Sequence, residues 1–310
     1  MKFNLKPLSY IEAAANHGSI AKAAQSMRIS KSSISAAIDA FEADFGISLF
    51  LRQPSKGLDL TAGGRRAMDD LRHLLQQARQ MEEDLSGQKD QLTGEFTIGC
   101  FAPLAPLILP FVVKAISEKH PGLTIRVIES DLGSVTELVL RGTSDVVLTY
   151  DLGQPEGTEF TPFCPAHAYA LLPEDSAFAA RSSVSLSELA PLPMILLDLP
   201  ESRTYFEMLF RVAGLTPNVV FRAGTFQTLR SFVSYGLGYS LLNLRPATDF
   251  AYTGRKTKSV PLSDTVPAPI FGAMRREDTF LSPVAKDFTQ ICHDFCHSAL
   301  GKRHFVPPCS

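Results

Sequence analysis

The stretch "GSIAKAAQSMRISKSSISAAIDAFEADFGISLFLRQPSKGLDLTAGG", residues 18–64, decides how the chain is read. Just before it, a helix from about Leu5 to Asn16 would bury Leu8, Ile11 and Ala15, and Gly18 suits a left-handed C-cap. Ser19 then caps a second helix, Ile20 to Met27, whose Ala23, Ala24 and Met27 allow close packing. A short turn through Arg28 and Ile29 follows. Ser30 caps a third helix, in which Ile34, Ile38 and Phe41 keep the i, i+4, i+7 spacing and face inward. That leaves Lys31, Ser32, Ser35 and Ala36 pointing out at its N-terminal end. Two short helices joined by a tight turn, the second presenting its N-terminus, form a helix-turn-helix.

Charge agrees with a local rather than a global role in nucleic-acid binding. The 310-residue chain has net charge −2 and 45% apolar residues, so no overall field draws it to a polyanion or an anionic membrane. Residues 1–65 nevertheless hold eight Lys and Arg against five Asp and Glu, a local +3 that leaves −5 for the remainder. Five cysteines (Cys100, Cys164, Cys292, Cys296, Cys309) without disulfide-framework spacing fit a reduced, cytosolic protein. The N-terminus shows no secretory signal. The most apolar run, Phe101 to Val113, is broken by three prolines and too short to span a bilayer. A soluble, cytoplasmic protein with no membrane partner is the expectation.

From about Thr61 to Leu92 the pattern is one long polar helix. Ala67, Leu71, Leu74, Ala78, Met81 and Leu85 step by four and three in the manner of a coiled-coil seam. So narrow a stripe on a lone helix predicts a partner helix, with packing inside the same chain as the alternative. After Gly94, apolar strands alternate with helices, which predicts a mostly parallel α/β sheet, and the length favours two lobes.

Many positions of the opening stretch stand in one register. They are Gly18-Ser19, Ala23-Ala24, Ser30 to Ser35, Phe41-Glu42, Gly46 to Arg52 and Leu60 to Gly64. In these the chain resembles the LysR-type transcriptional regulators, and the resemblance extends over almost its whole length. It implies a multidomain α+β architecture: a winged helix-turn-helix over 1–60, a linker and dimerisation helix over 61–93, and a two-lobed, periplasmic-binding-protein-like α/β effector domain over 94–310. The first lobe would span about 94–165 and 266–310, the second about 166–265. Implied partners are double-stranded promoter DNA, a small-molecule effector, RNA polymerase, and further copies of the chain in a homodimer or homotetramer joined by the linker helix.

The expected DNA contacts are Ser30, Lys31, Ser32, Ser33, Ser35, Arg52, Lys56 and Thr61. Helix N-terminal amides and serine hydroxyls suit phosphate, while Lys31 has the reach and charge for a guanine edge. Family members often carry glutamine and proline where this chain has Lys31 and Ser32, and basic residues near Ala36, Ala37 and Ala40. More of the affinity is therefore expected from the basic wing Leu51 to Gly57, through Arg52 and Lys56. The structural alternatives are an Arg52–Glu42 ion pair and a merely solvated serine cluster.

The effector is expected between the lobes, near Cys100, Phe101, Ala102, Ser130, Thr149, Ser202, Arg203, Thr225 and Phe226. Asp131, Tyr150, Leu199 and the turn from Gly224 to Gln227 belong to the same strand ends and helix starts. Arg203, Ser202 and Thr225 would hold a carboxylate or similar acidic group, unless Arg203 pairs with Glu201 or Glu207. Cys100 lacks a charged neighbour in sequence that would activate its thiol. Cys292-His293 and Cys296-His297 have i, i+4 metal-ligand spacing, but they sit on an apolar helix face and lack the second half of a zinc motif. No cofactor, metal or catalytic residue is expected. Nucleotide-binding glycine loops and Gly-x-Ser-x-Gly are absent, which argues against an enzyme, and the DNA-binding head argues against a periplasmic solute-binding protein. The expectation is an effector-modulated, sequence-specific regulator; the alternative is a cytosolic small-molecule-binding protein without specific DNA binding.

Overall fold

The computed structural model describes residues 4–53, 57–86, 94–277, 279 and 281–307. The chain divides into two compact units, residues 1–92 with 141–143 and residues 93–140 with 144–310.

The first unit begins with α1 (Leu5–His17), α2 (Ile20–Met27) and α3 (Lys31–Phe45). Gly18 and Gly46 close α1 and α3 in the left-handed conformation, at φ 58° and 66°. Arg28 closes α2 at φ 54°, so the turn between the two HTH helices is made by a residue with a side chain. The core gathers Leu8, Ile11, Ala14, Ala23, Ile34 and Ile38, each worth roughly 1.5–3 kcal/mol when large and fully buried. Ala14 takes the inward place expected of Ala15, which is half-buried, because the face of α1 runs on at i+3.

A hairpin follows, β1 (Phe50–Gln53) paired antiparallel with β2 (Gly57–Leu60). It is tied to the helices by backbone contacts that its sequence dictates. The Leu58 amide donates to the Gly18 carbonyl at 2.8 Å. Gly57 permits this approach, since a Cβ there would lie 2.5 Å from the same oxygen. Glu42 Oε1 accepts from the amides of Leu49 (2.6 Å) and Phe50 (3.3 Å), fixing the hairpin's start against α3.

The long helix α4 (Ala62–Ser86) starts beneath this hairpin. Its inward stripe is Gly64, Met68, Leu71 and Leu75, packed into the core of the head. A strict coiled-coil seam was expected one position away. Of that seam Leu71 is buried, Ala67, Leu74 and Ala78 are half-buried, and Met81 is 62% exposed. The first turns of α4 are therefore not a lone helix; they complete the head's own core. The Leu85 side chain lies outside the described residues.

The second unit holds two lobes. In chain order its elements are β3 (Gly94–Phe101), α5 (Ala105–Lys119), β4 (Leu123–Ser130), α6 (Leu132–Leu140), β5 (Val146–Tyr150) and β6 (Thr158–Pro165), then β7 (Tyr169–Pro173), α7 (Leu186–Leu189), β8 (Pro193–Leu197), α8 (Pro200–Val212) and β9 (Asn218–Ala223). These are followed by α9 (Phe226–Ser234), β10 (Ser240–Leu242), β11 (Thr257–Pro261), β12 (Ile270–Arg276) and α10 (Pro283–His297). The first lobe's sheet has the order β4-β3-β5-β12-β6. The second lobe has β10-β7-β11 and the pair β8-β9, bridged between Met194 and Tyr239.

These sheets are mixed rather than mostly parallel. β3 runs parallel to β4 and β5, and β8 to β9, but β12 is antiparallel to both its neighbours and β7 to both of its own. The antiparallel pairs come from the strands that return between lobes. β6 and β12 end at the crossovers, where the Ala166 amide donates to the Pro269 carbonyl at 2.9 Å. Asn243 Nδ2 donates to the Ala166 carbonyl at 2.7 Å, and the Tyr205 hydroxyl donates to the Pro267 carbonyl at 2.8 Å. Burial pushes the Tyr205 phenol up to about 12, so it stays a neutral donor. The hinge region is thus cross-tied from the second lobe.

Candidate nucleic-acid interface and effector cleft

The exposed start of α3 is organised by its cap. Ser30 Oγ accepts from the Ser33 amide at 3.1 Å and bonds to the hydroxyls of Ser32 and Ser33, both at 2.8 Å. Those three hydroxyls form one exposed cluster beside the free amides of the first turn, and no acid lies in that turn. Lys31 is exposed next to them, Ser35 is half-buried, and Ala36 and Ala40 form a small smooth surface further along. Ala37 is buried, so this position faces the core and not the outer face.

One of the expected contacts is already employed inside the fold. Thr61 Oγ1 donates to the Ser48 carbonyl (2.5 Å) and accepts from the Gly64 amide (2.8 Å), which makes it the cap of α4. Glu42, suggested as a partner for Arg52, accepts from the Leu49 and Phe50 amides, and the Arg52 side chain lies outside the described residues. Arg52 lies on β1 opposite Leu58, and Lys56 falls outside the described residues.

Between the lobes of the second unit lies a cavity of about 650 Å³, a size typical of small-molecule sites. Ala102 and Pro103 after β3, Glu129 and Asp131 at the end of β4, and Leu199 before α8 contribute to its wall. Gly224, Thr225, Phe226 and Gln227, where α9 begins, close it from the second lobe. Thr225 Oγ1 caps α9 by accepting from the Thr228 amide at 3.2 Å. A narrower void of about 30 Å³ lies deeper, against Phe101, Tyr150, Ser202, Tyr205 and Phe226.

The expected effector residues separate accordingly. Ala102, Thr225 and Phe226 line the larger cavity, and Phe101, Ser202 and Phe226 the smaller. Ser130 accepts the Ala102 amide through its carbonyl, while Cys100 and Thr149 are buried within the sheet and line neither. Burial, with Glu129 nearby, pushes the Cys100 thiol far up. Arg203 Nη1 meets Asp198 Oδ1 at 2.7 Å, and Arg203 lines neither of these two cavities. The local acid is Asp198, five residues back at the end of β8, rather than Glu201 or Glu207; Arg222 shares it at 3.3 Å. Glu129 was missed. Its signal was the acid pair Glu129 and Asp131, two apart at the end of a strand. The Asp131 carboxylate lies below the usual range, chiefly because the Ser134 amide donates to it.

On α10, Cys292 and Cys296 are buried, and His297 Nδ1 meets the His293 carbonyl at 2.8 Å. Among the described residues no three His, Cys, Asp or Glu side chains are grouped to hold a metal ion, and no helix is long and apolar enough to cross a membrane.

Residues 5–65 match the family described as bacterial regulatory helix-turn-helix protein, lysR family, and residues 89–297 match the LysR substrate binding domain. The chain belongs to the LysR family. Among solved structures it is similar to a LysR family regulator of Pseudomonas aeruginosa, at 32% identity and TM-score 0.64, over 95% of this chain and 99% of that one. It is 26% identical over 240 residues to the transcriptional dual regulator OxyR of Escherichia coli, covering 77% of this chain and 78% of that protein. The fold is shared with CbnR, solved in complex with its target DNA, at TM-score 0.55 and 20% identity over 94% of this chain and 99% of that one. These relatives are regulators of transcription, not enzymes. As a LysR regulator, the protein is a DNA-binding transcription factor with an effector-binding domain.

Proposed function

We propose that this LysR protein reads a promoter operator with the start of α3 and the wing, and that a small molecule between the two lobes adjusts that binding. Ser30, Ser32 and Ser33 with the α3 amides would position phosphates, Lys31 would read a base edge, and Ser35, Arg52 and Lys56 would add contacts. Thr61 acts indirectly, by holding the wing and α4 in register. The single observation that carries the DNA reading is the exposed α3 start, capped by Ser30, flanked by Lys31 and free of acids.

The effector would meet Thr225 and the free amides at the start of α9, where a carboxylate or neutral oxygen suits the helix dipole. Two or four copies would associate through the outer part of α4, where Ala78 is half-buried and Met81 is exposed. A homo-oligomer of this kind would place two heads on half-sites of one operator in the cytoplasm, beside RNA polymerase. Effector binding would shift the population between two arrangements of the lobes.

Fluorescence anisotropy of the full-length protein on the intergenic duplex beside its own gene tests the proposal. Saturable binding that a scrambled duplex does not displace is the expected result, with a salt slope of about 0.9 per phosphate contacted. Equal competition by the scrambled duplex, with the head folded by circular dichroism, would favour a ligand-binding protein without specific DNA recognition.

A further inference from the structure

Two buried hydroxyls of the second unit lack partners, and both belong to residues that line the deeper void. Tyr150 ends β5 in the first lobe, and Ser202 stands in the first turn of α8 in the second. Each is only 6% exposed, and neither hydroxyl makes a hydrogen bond among the described residues. Other buried oxygens without a partner, Ser144 Oγ and Tyr239 Oη, are sealed away from any open space. Those of Tyr150 and Ser202 are not sealed, and the space beside them is the void of about 30 Å³. Asn243, 8% exposed, lines the same void. Its Nδ2 donates to the Ala166 carbonyl and the Tyr205 hydroxyl, while its oxygen accepts no bond among the described residues. Burial pushes the Tyr150 phenol well above its usual range, so it stays protonated and able to donate.

A buried hydroxyl without a partner forgoes the bonds it made in water, a cost that a matching ligand atom recovers. No Lys, Arg, His, Asp or Glu lines the void, so a charged group there would be buried without a counter-ion. What the wall offers is two hydroxyls, able to donate or accept, and one amide oxygen that accepts. A void of this size holds about two waters, or the few atoms at one end of a ligand. Pro103 and Phe226 line both it and the larger cavity, so one molecule can reach from the larger into the smaller. We propose that the effector is an elongated molecule whose inner end is an uncharged alcohol or carboxamide, bonded to Tyr150, Ser202 and Asn243. Its apolar body would occupy the larger cavity. Because Tyr150 and Ser202 stand on different lobes, the inner end would also tie the lobes together. This rests on the reading of the cleft as the effector site.

The test uses the full-length protein in thermal-shift measurements at neutral pH, with four probes that differ only at one end. Two are uncharged, 3-phenylpropanol and 3-phenylpropanamide; the anion 3-phenylpropanoate and the cation 3-phenylpropylamine are their charged counterparts. The alcohol and the amide should raise the midpoint by about 2 °C or more at millimolar concentration, by preferential binding to the folded state. The acid and the amine should not. Tyr150→Phe and Ser202→Ala, each of which removes one oxygen from the wall, should each reduce the shift, and together remove most of it. No shift from the uncharged probes, an equal shift from a charged one, or a shift undiminished in both variants would overturn the proposal. Gly224→Trp separates this from failure of the cleft reading. Gly224 lines only the larger of the two cavities, and a Cβ there meets nothing within 4 Å, so the indole can block the way in. Shifts that it abolishes but that show no preference for uncharged probes remove only the present proposal. Shifts that survive it place binding elsewhere and remove both.

Discussion

The starts of α3 and α9 use the same device in different surroundings. Each is capped by a hydroxyl that accepts from the amide three residues on, Ser30 from Ser33 at 3.1 Å and Thr225 from Thr228 at 3.2 Å. Each leaves first-turn amides free to meet an acceptor. The α3 start is open to solvent, with Lys31 beside it and no acid in its first turn. The α9 start faces a walled cavity whose opposite side carries Glu129 and Asp131. A helix N-terminus offers much the same donors wherever it lies; what stands across from it selects between a polyanion and a small molecule.

The largest effect that separates the two regions should come from Gly64→Val. A Cβ there would lie 2.0 Å from the Leu49 carbonyl oxygen, so the wing and α4 cannot both keep their places. A loss of more than about 3 kcal/mol in the head is expected. Calorimetry should show the head's transition lost while the second unit's remains, and a single unchanged transition would mean that the two regions are not independent. Next comes Lys31→Ala, which should weaken operator binding by about 1–3 kcal/mol and reduce the salt slope by about one if the lost contact is to phosphate. Anisotropy across salt concentrations measures both, and unaltered affinity would move recognition to the wing.

The paired cap variants sharpen the comparison most directly. Ser30→Ala and Thr225→Ala should each cost about 1 kcal/mol in their own unit. Only the first should weaken DNA binding by the ligand-free protein, and only the second should blunt a ligand-induced thermal shift; crossed effects would show that the starts are not specialised. Arg203→Ala should do least. Its bond to Asp198 is part-exposed, worth about 0–1 kcal/mol, and Arg222 remains to hold the same carboxylate. A large loss of ligand response there would restore Arg203 to the cleft.

The head was legible because its signals are local. Ser19, Ser30 and Gly18 announce helix ends within a few residues of where they act, and Gly64 marks a close backbone approach that only a glycine allows. Inside the second unit, β6 and β11 were not legible as strands. Pro162 and Pro165 in the first, and Pro261 in the second, break the sequence pattern, and such residues are tolerated because both strands lie at sheet edges. The cleft was legible in outline only. Strand ends and helix starts pointed to Ala102, Thr225 and Phe226, but the meeting of Glu201 with Asp131 arises from segments that approach only in the folded lobes.

Those edge prolines also bear on how the protein behaves in a crowded solution. A neighbouring chain can extend a sheet only where amides and carbonyls are free to pair, and a proline offers no amide. Each lobe thus has one edge, β6 or β11, poorly suited to strand addition. The far edge of the first lobe's sheet, β4, carries Arg126, and β9, the outer strand of the pair bridged to the second lobe's sheet, carries Arg222, charges that burden any incoming strand with desolvation. Folded in this way, both sheets are guarded against growing into aggregates.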